Sequence, residues 1–163
     1  MTLNKMILLG CLIATPTWAQ NRNKALAPSI EQGRYLARVI GCNDCHTPMY
    51  GLKNGEVPEK DWLIGSPIGW MGPWGTTYAT NLRSRVAGMS EDEWVHHLKT
   101  LRSRPPMPFF AVNALRENDS RSLYRFIKSL GDNQQVIPDA LPPGEKPQTP
   151  YVHFDVLMPK PGK

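Results

Sequence analysis

Two thiols and an imidazole lie within five consecutive residues, in the segment Cys42-Asn43-Asp44-Cys45-His46. Thiols at this spacing can add to the two vinyl groups along one edge of a porphyrin, and the histidine that follows can then bind the iron. The C-x-x-C-H pattern is the signature of covalent haem attachment. Because the pattern occurs once, we expect one covalently attached haem c.

Zinc binding and thiol–disulfide exchange are the two other common uses of a C-x-x-C pair. A tetrahedral zinc site needs four ligands, and the only other cysteine, Cys11, lies in a segment that we expect to be removed. A thioredoxin-like pair requires a βαβ context, whereas Cys42 follows a helical pattern. Both alternatives are therefore weaker than haem attachment.

The N-terminal residues are typical of an export signal. A weakly basic start precedes an apolar run, residues 6–14, that is too short to span a bilayer. Thr17-Trp18-Ala19 then places small residues at the two positions that guide cleavage. We therefore predict a signal peptide over residues 1–19 and a periplasmic location. The alternative is a lipoprotein site at Cys11, which would attach the chain to a membrane.

Length and charge limit the number of domains and the kinds of partner. A chain of 163 residues suits one domain with one core. The formal net charge is only +5 and no basic run is interleaved with aromatic residues, so nucleic acid is not an expected partner. We divide the chain after the signal peptide into a domain, 20–131, and a proline-rich C-terminal extension, 132–163, which is predicted to be extended and irregular.

Three segments show the helical spacing of apolar residues. Ser29 and Ser90 each begin a capping-box pattern, with Gln or Glu three residues later, which predicts a helix start. The predicted helices run from Ser29 into Cys42, over residues 91–102 and over residues 117–130. Residues 47–82 are rich in Gly, Pro and Trp without a sustained period, so a loop is predicted there. These patterns predict an all-α fold with long loops.

A haem iron bound by His46 needs a second axial ligand, or an open position if the protein binds a substrate there. Met107 lies in Arg104-Pro105-Pro106-Met107-Pro108-Phe109, where the prolines stiffen the backbone, and a methionine thioether is an established haem ligand. We predict Met107 as this ligand, although filling a core gap is the usual role of methionine. The alternatives for the ligand are Met71, His96 and His97.

Six segments occur in an order and spacing that a known family shares. They are Gly33-Arg34-Tyr35-Leu36-Ala37, Cys42-Asn43-Asp44-Cys45-His46-Thr47, Pro73-Trp74-Gly75-Thr76-Thr77-Tyr78-Ala79-Thr80-Asn81-Leu82, Ser90-Glu91-Asp92-Glu93-Trp94, Pro106-Met107-Pro108-Phe109 and Leu123-Tyr124-Arg125-Phe126-Ile127-Lys128-Ser129-Leu130. With these segments, residues 30–131 resemble a class I c-type cytochrome. More narrowly, they resemble the monohaem domains of bacterial alcohol and aldehyde dehydrogenase cytochrome c subunits.

The resemblance implies a class I cytochrome c fold, in which three to four helices wrap around one covalent haem. It implies that His46 and Met107 bind the iron and that the first and last helices cross where Gly33 meets Phe126. The implied function is that of an electron carrier rather than an enzyme. Its implied partners are periplasmic redox proteins, either a dehydrogenase or a terminal oxidase. The candidate donors to a haem propionate, each of which packing would also explain, are Trp74, Tyr78 and Arg83.

Two other functions use the same attachment residues. An electron-accepting subunit of a periplasmic dehydrogenase would stay bound to a larger catalytic chain. A haem enzyme or gas sensor would have a vacant or displaceable distal position and would bind carbon monoxide readily. The first alternative therefore differs from a free electron carrier in having a permanent partner. The second differs in having no fixed second ligand, such as Met107, on the iron.

Overall fold

The computed structural model describes residues 27–155, so the predicted signal peptide and Cys11 lie outside the described residues. The helices and strands are, in chain order, α1 (Ile30–Val39), α2 (Cys42–His46), β1 (Gly69–Gly72), β2 (Gly75–Tyr78), α3 (Leu82–Ala87), α4 (Glu91–Thr100), α5 (Phe109–Asn113), α6 (Glu117–Ser129) and β3 (Tyr151–His153). Short 3-10 turns occupy Gly51–Lys53 and Glu59–Asp61. None of the described helices is long and apolar enough to cross a membrane.

The three predicted helices are confirmed as α1, α4 and α6. The Ser29 side chain accepts a hydrogen bond from the Gln32 amide at 3.1 Å and caps α1. At the start of α4, Ser90 and Glu93 form the reciprocal capping box that their spacing predicts. Helix α1 ends before Cys42, because Gly41 adopts the left-handed conformation, with φ at 77°, and separates α1 from α2.

The prediction of an all-α fold is not confirmed, because the protein is helix-rich but contains a three-stranded sheet in the order β2-β1-β3. Strands β1 and β2 form an antiparallel hairpin in which Trp70 pairs with Thr77. Strand β3 lies parallel to β1, so that Val152 also pairs with Trp70. Each strand has only three or four residues, which is too short to show a two-residue period in the sequence.

The C-terminal extension lies along the hairpin. Leu141 exchanges two main-chain hydrogen bonds with Thr76, at 2.9 and 3.1 Å. Further on, the Phe154 amide donates to the carbonyl of Met71 at 2.8 Å. The extension is therefore largely extended, as predicted, but β3 is regular structure that its proline-rich composition did not indicate.

Helices α1 and α6 cross at the contact that the family resemblance implies. A Cβ atom added at Gly33 would clash with the Ser122 carbonyl oxygen and would lie 2.6 Å from Cβ of Phe126. Glycine at this position therefore permits the two backbones to approach closely. The buried apolar residues around this crossing are Leu36, Ala37, Trp62, Leu63, Val86, Trp94, Leu98, Leu123 and Ile127.

Substituting Gly33 should destabilise the fold strongly. We expect Gly33→Ala to lower the free energy of unfolding by about 2–3 kcal/mol, because the added methyl group meets a main-chain oxygen that cannot rotate away. Gly51→Ala is the matched control, since a Cβ at Gly51 has no heavy atom within 4 Å, and it should change stability by less than about 0.5 kcal/mol. Urea denaturation measures both, and equal effects would contradict the close crossing.

Glu91 joins α4 to α6 through two ion pairs. Its Oε2 lies 3.2 Å from Arg125 Nε, and its Oε1 lies 3.3 Å from Arg121 Nη1. Hydrogen bonds from Arg125 and, to a lesser extent, Arg121 outweigh the effect of desolvation and lower the pKa of Glu91. The ionised carboxylate therefore stabilises the folded state.

The stability that Glu91 contributes should depend on pH. Because the pKa of Glu91 is lower in the folded chain, its contribution is complete above about pH 4.3, the usual glutamate value, and disappears as the pH falls through the folded value. Glu91→Gln should thus cost about 0.5–1 kcal/mol at pH 7 and much less in acid. Urea denaturation at both pH values measures this difference. Glu56→Gln is the control, since Glu56 is exposed, and a loss at Glu91 that is independent of pH would contradict the argument.

Candidate haem site

One cavity of about 310 Å³ brings the predicted site residues together: Cys42, Cys45, His46 and Met107 all line it. Its volume falls within the range of about 300–1,000 Å³ that is typical of ligand pockets. The other walls come from the hairpin, α3, α4, α6 and the link between α4 and α5. The assignment of these four residues to a haem stays a prediction, but all four line the same cavity.

Helix α2 presents both cysteines to the cavity, because residues three apart on a helix lie on the same face. The opposite face of α2 is anchored in the protein. Buried Asn43 accepts a hydrogen bond from the Thr47 hydroxyl at 2.8 Å, and this hydroxyl accepts one from the Leu63 amide at 2.8 Å. The helix therefore holds the two thiols in a fixed orientation.

The His46 imidazole is buried, and its Nδ1 lies 2.8 Å from the carbonyl oxygen of Thr80. A carbonyl only accepts hydrogen bonds, so Nδ1 carries the proton and Nε2 keeps its lone pair for a metal. Burial lowers the pKa of His46, with the Thr80 hydrogen bond acting in the opposite direction. The ring is therefore neutral near pH 7, which is the form that binds iron.

The environment of the thiols argues against disulfide exchange. Burial raises the pKa of the Cys42 thiol to about 12 and also raises the pKa of Cys45, whereas redox-active cysteines have lowered pKa values. Within residues 27–155, no three His, Cys, Asp or Glu side chains converge on a metal position. The raised pKa values therefore weaken the alternative of disulfide exchange.

Among the described candidates for the second iron ligand, only Met107 and His97 line the cavity. Met71 lies in β1 and does not reach it, and His96 is exposed on the outer side of α4. The His97 ring packs against Trp94 with the ring centroids 5.9 Å apart. The structure therefore leaves two candidates for the second iron ligand, which are the predicted thioether of Met107 and the imidazole of His97.

Comparison with known proteins adds one relative. The chain is 29% identical over 157 residues to the fructose dehydrogenase cytochrome subunit of Gluconobacter japonicus. It is a distant relative of a cytochrome. The alignment covers 90% of this chain but only 29% of that subunit, so the chain spans less than a third of its relative's length. No protein-family model matches the chain, and no solved structure matches it.

The relationship implies a haem cofactor, and the cavity contains a feature that fits one. The indole N–H of Trp70 is buried in the cavity wall and has no acceptor within residues 27–155. An unpaired buried donor is costly, and a haem propionate is an acceptor that would satisfy it. Arg85 also lines the cavity and adds positive charge. The Trp70 N–H and the Arg85 guanidinium therefore suit a ligand that carries acidic groups, as a haem does.

The three predicted propionate donors are engaged elsewhere. The indole of Trp74 donates to the carbonyl of Trp70 at 3.2 Å, and the Tyr78 hydroxyl bonds a threonine hydroxyl of the C-terminal extension at 3.0 Å. Buried Arg83 donates to main-chain carbonyls that follow α6, including that of Gly131 at 2.7 Å. The packing role is therefore the better explanation for each, and Trp70 is a candidate donor that sequence reasoning missed.

Proposed function

We propose that this chain is a periplasmic monohaem c-type cytochrome that carries single electrons between redox proteins. The observation that supports this function is the shared cavity, which collects the C-x-x-C-H motif and Met107 in a chain distantly related to a cytochrome subunit. The export signal predicted for residues 1–19 supports the periplasmic location.

Each site residue has a distinct role in this proposal. A haem bound in the cavity supplies reversible one-electron chemistry at its iron. Cys42 and Cys45 would hold the haem through thioether bonds, His46 would bind the iron through Nε2, and Met107 would bind it through its sulfur. The Thr80 carbonyl keeps the imidazole in the required tautomer and orientation. With both ligands bound the iron would have no open position, which favours electron transfer over reaction with a substrate.

The walls of the cavity favour the reduced state. Trp94, Leu98, Leu123 and Ile127 are buried apolar residues of its lining. Such surroundings exclude water and disfavour the additional positive charge of oxidised iron, and a methionine ligand raises the reduction potential further. We therefore propose a relatively high potential for this haem.

A single preparation of the full-length protein tests the proposal. Expressed in a bacterium that matures c-type cytochromes, the chain should be recovered from the periplasm as a red protein. Its mass should correspond to the chain cleaved after Ala19 plus one haem, and its pyridine haemochrome should show two thioether bonds. A colourless protein with the mass of the polypeptide alone would overturn the proposal.

The second candidate function is an electron-accepting subunit of a periplasmic dehydrogenase, which the name of the relative favours. A tagged chain isolated from its own cells discriminates between the two. Co-elution of a larger chain that reduces the haem when substrate is added supports the subunit. A monomer that exchanges electrons with added redox proteins supports the free carrier.

A further inference from the structure

The link between α4 and α5, residues 101–108, carries Met107 and contacts two distant segments through Arg104. Arg104 Nη1 donates to the carbonyl of Trp74 at 3.0 Å and to the carbonyl of Leu141 at 2.9 Å. The first acceptor lies in the hairpin and the second lies in the C-terminal extension. Both acceptors are main-chain atoms, so the contact depends on where these backbones lie.

The carbonyl of Leu141 is a junction of three segments. Besides the Arg104 guanidinium, it accepts a hydrogen bond from the Thr76 amide at 3.1 Å. A carbonyl oxygen has two lone pairs and can accept both donors. One oxygen atom therefore connects the extension, strand β2 and the Met107 link.

The Met107 link depends on such outside contacts because it contains three prolines. Pro105, Pro106 and Pro108 have no amide donors, so the link has few main-chain hydrogen bonds of its own. The Thr77 hydroxyl of β2 donates to the carbonyl of Pro105 at 2.7 Å. The hairpin thus holds the link both at Arg104 and at the next residue.

The extension is in turn fixed to the hairpin near its far end. The Phe154 ring lies 5.8 Å from Trp70 and 5.8 Å from Trp74, measured between ring centroids. The hairpin is also shaped to accept the extension, since Gly75 has φ at 93° and an added Cβ would lie 2.7 Å from the Pro142 carbonyl carbon. Movement of the extension would therefore move the acceptors of Arg104.

We infer that residues 132–155 form a C-terminal strap that holds Met107 at the cavity, with Arg104 as the positioning residue that connects strap and link. The inference rests on the proposed function, because Met107 acts as a ligand only when haem is bound. With haem bound, the strap would limit how readily Met107 leaves the iron and thereby how readily small ligands reach the haem.

Two variants of the full holoprotein disrupt opposite ends of this connection. Arg104→Gln removes the guanidinium from the link, and Phe154→Ala removes the ring that anchors the strap. Losing an ionic hydrogen bond or an aromatic ring contact should raise the fraction of open sites, and hence the rate of carbon monoxide binding to ferrous protein, by roughly tenfold. The weak far-red band of methionine–iron bonding in the ferric protein should decline in both.

Further variants separate the strap from a local effect of Arg104, which itself lines the cavity. Arg104→Lys keeps a cationic donor and should restore part of the wild-type behaviour. Val136→Ala is the control within the strap, because Val136 is 88% exposed, and it should match the wild type. In the double variant, the rate of carbon monoxide binding should rise no further than in either single variant, because Arg104→Gln and Phe154→Ala break the same connection.

Amide hydrogen exchange in the holoprotein provides a readout that monitors the backbone of the link rather than ligand binding at the iron. Phe154→Ala should speed exchange at the Phe109 amide, which bonds the Met107 carbonyl at 2.8 Å. Unchanged exchange and unchanged carbon monoxide binding in Phe154→Ala would overturn the strap, even if Arg104→Gln has an effect. A wild-type protein without haem or without the far-red band would instead overturn the proposed function.

Discussion

Replacing Met107 with alanine should open the haem to carbon monoxide while leaving the haem covalently attached. Among the described methionines, only Met107 lines the cavity, and an alanine side chain cannot reach the iron. A ligand that must leave before carbon monoxide binds reduces the fraction of competent sites, so its removal should speed binding by more than about a hundredfold. Stopped-flow mixing measures the rate, and the far-red band of the ferric protein should disappear.

The control for this prediction is Met71→Ala, which removes a thioether in β1 that does not line the cavity. It should leave both the spectrum and the rate unchanged. If Met107→Ala keeps the wild-type spectrum and His97→Gln changes it, the second ligand is the imidazole on α4. Rapid carbon monoxide binding by the wild type would favour the haem enzyme or gas sensor.

The parts of the fold that could be predicted depend on local interactions. Ser90 and Glu93 are three residues apart, and their reciprocal bonds need nothing beyond the first turn of α4. The apolar spacing that predicted α6 likewise repeats within a single segment, and Leu123, Phe126 and Ile127 are buried as that spacing requires. Such features can be read from neighbouring residues alone.

The sheet could not be predicted because it depends on contacts between distant segments. Strand β3 pairs with β1 only after α3 to α6 have intervened in the chain. Without the neighbouring strand, Tyr151–His153 is three residues of a proline-rich tail with no distinctive pattern. The role of Arg104 was equally hidden, because its partners are main-chain carbonyls, which every residue possesses.

In the candidate site, too, the features that could be predicted are those set by neighbouring residues. Cys42, Cys45 and His46 are adjacent in sequence, so their spacing alone indicated the chemistry. Thr80 contributes only a carbonyl oxygen to His46, and no residue type marks such a role. The unpaired N–H of Trp70 became visible only when its surroundings were known. The reactive groups of the site could therefore be predicted from the sequence, whereas the interactions that support them could be identified only in the structure.

Replacing Cys45 with alanine should have the most severe effect on the amount of holoprotein. Cys42 and Cys45 face the cavity from one turn of α2, and in the proposed function each would form one of the two thioether bonds. With Cys45 absent, we expect either a haem held by one bond or no holoprotein. The pyridine haemochrome distinguishes one bond from two, and the mass of the denatured chain shows whether any haem remains attached.

Asp44→Ala is the matched control for Cys45→Ala. Asp44 lies between the two cysteines and is exposed, so its loss keeps both thiols and should leave a haem with two thioether bonds. Cys42→Ala should resemble Cys45→Ala, since both thiols would form the same kind of bond in the proposed function. An unchanged haemochrome in Cys45→Ala would contradict covalent attachment at this residue. Retention of a haem with two thioether bonds by the wild type after acid extraction, together with a haemochrome of one bond in the variant, would establish that Cys45 forms one of the bonds.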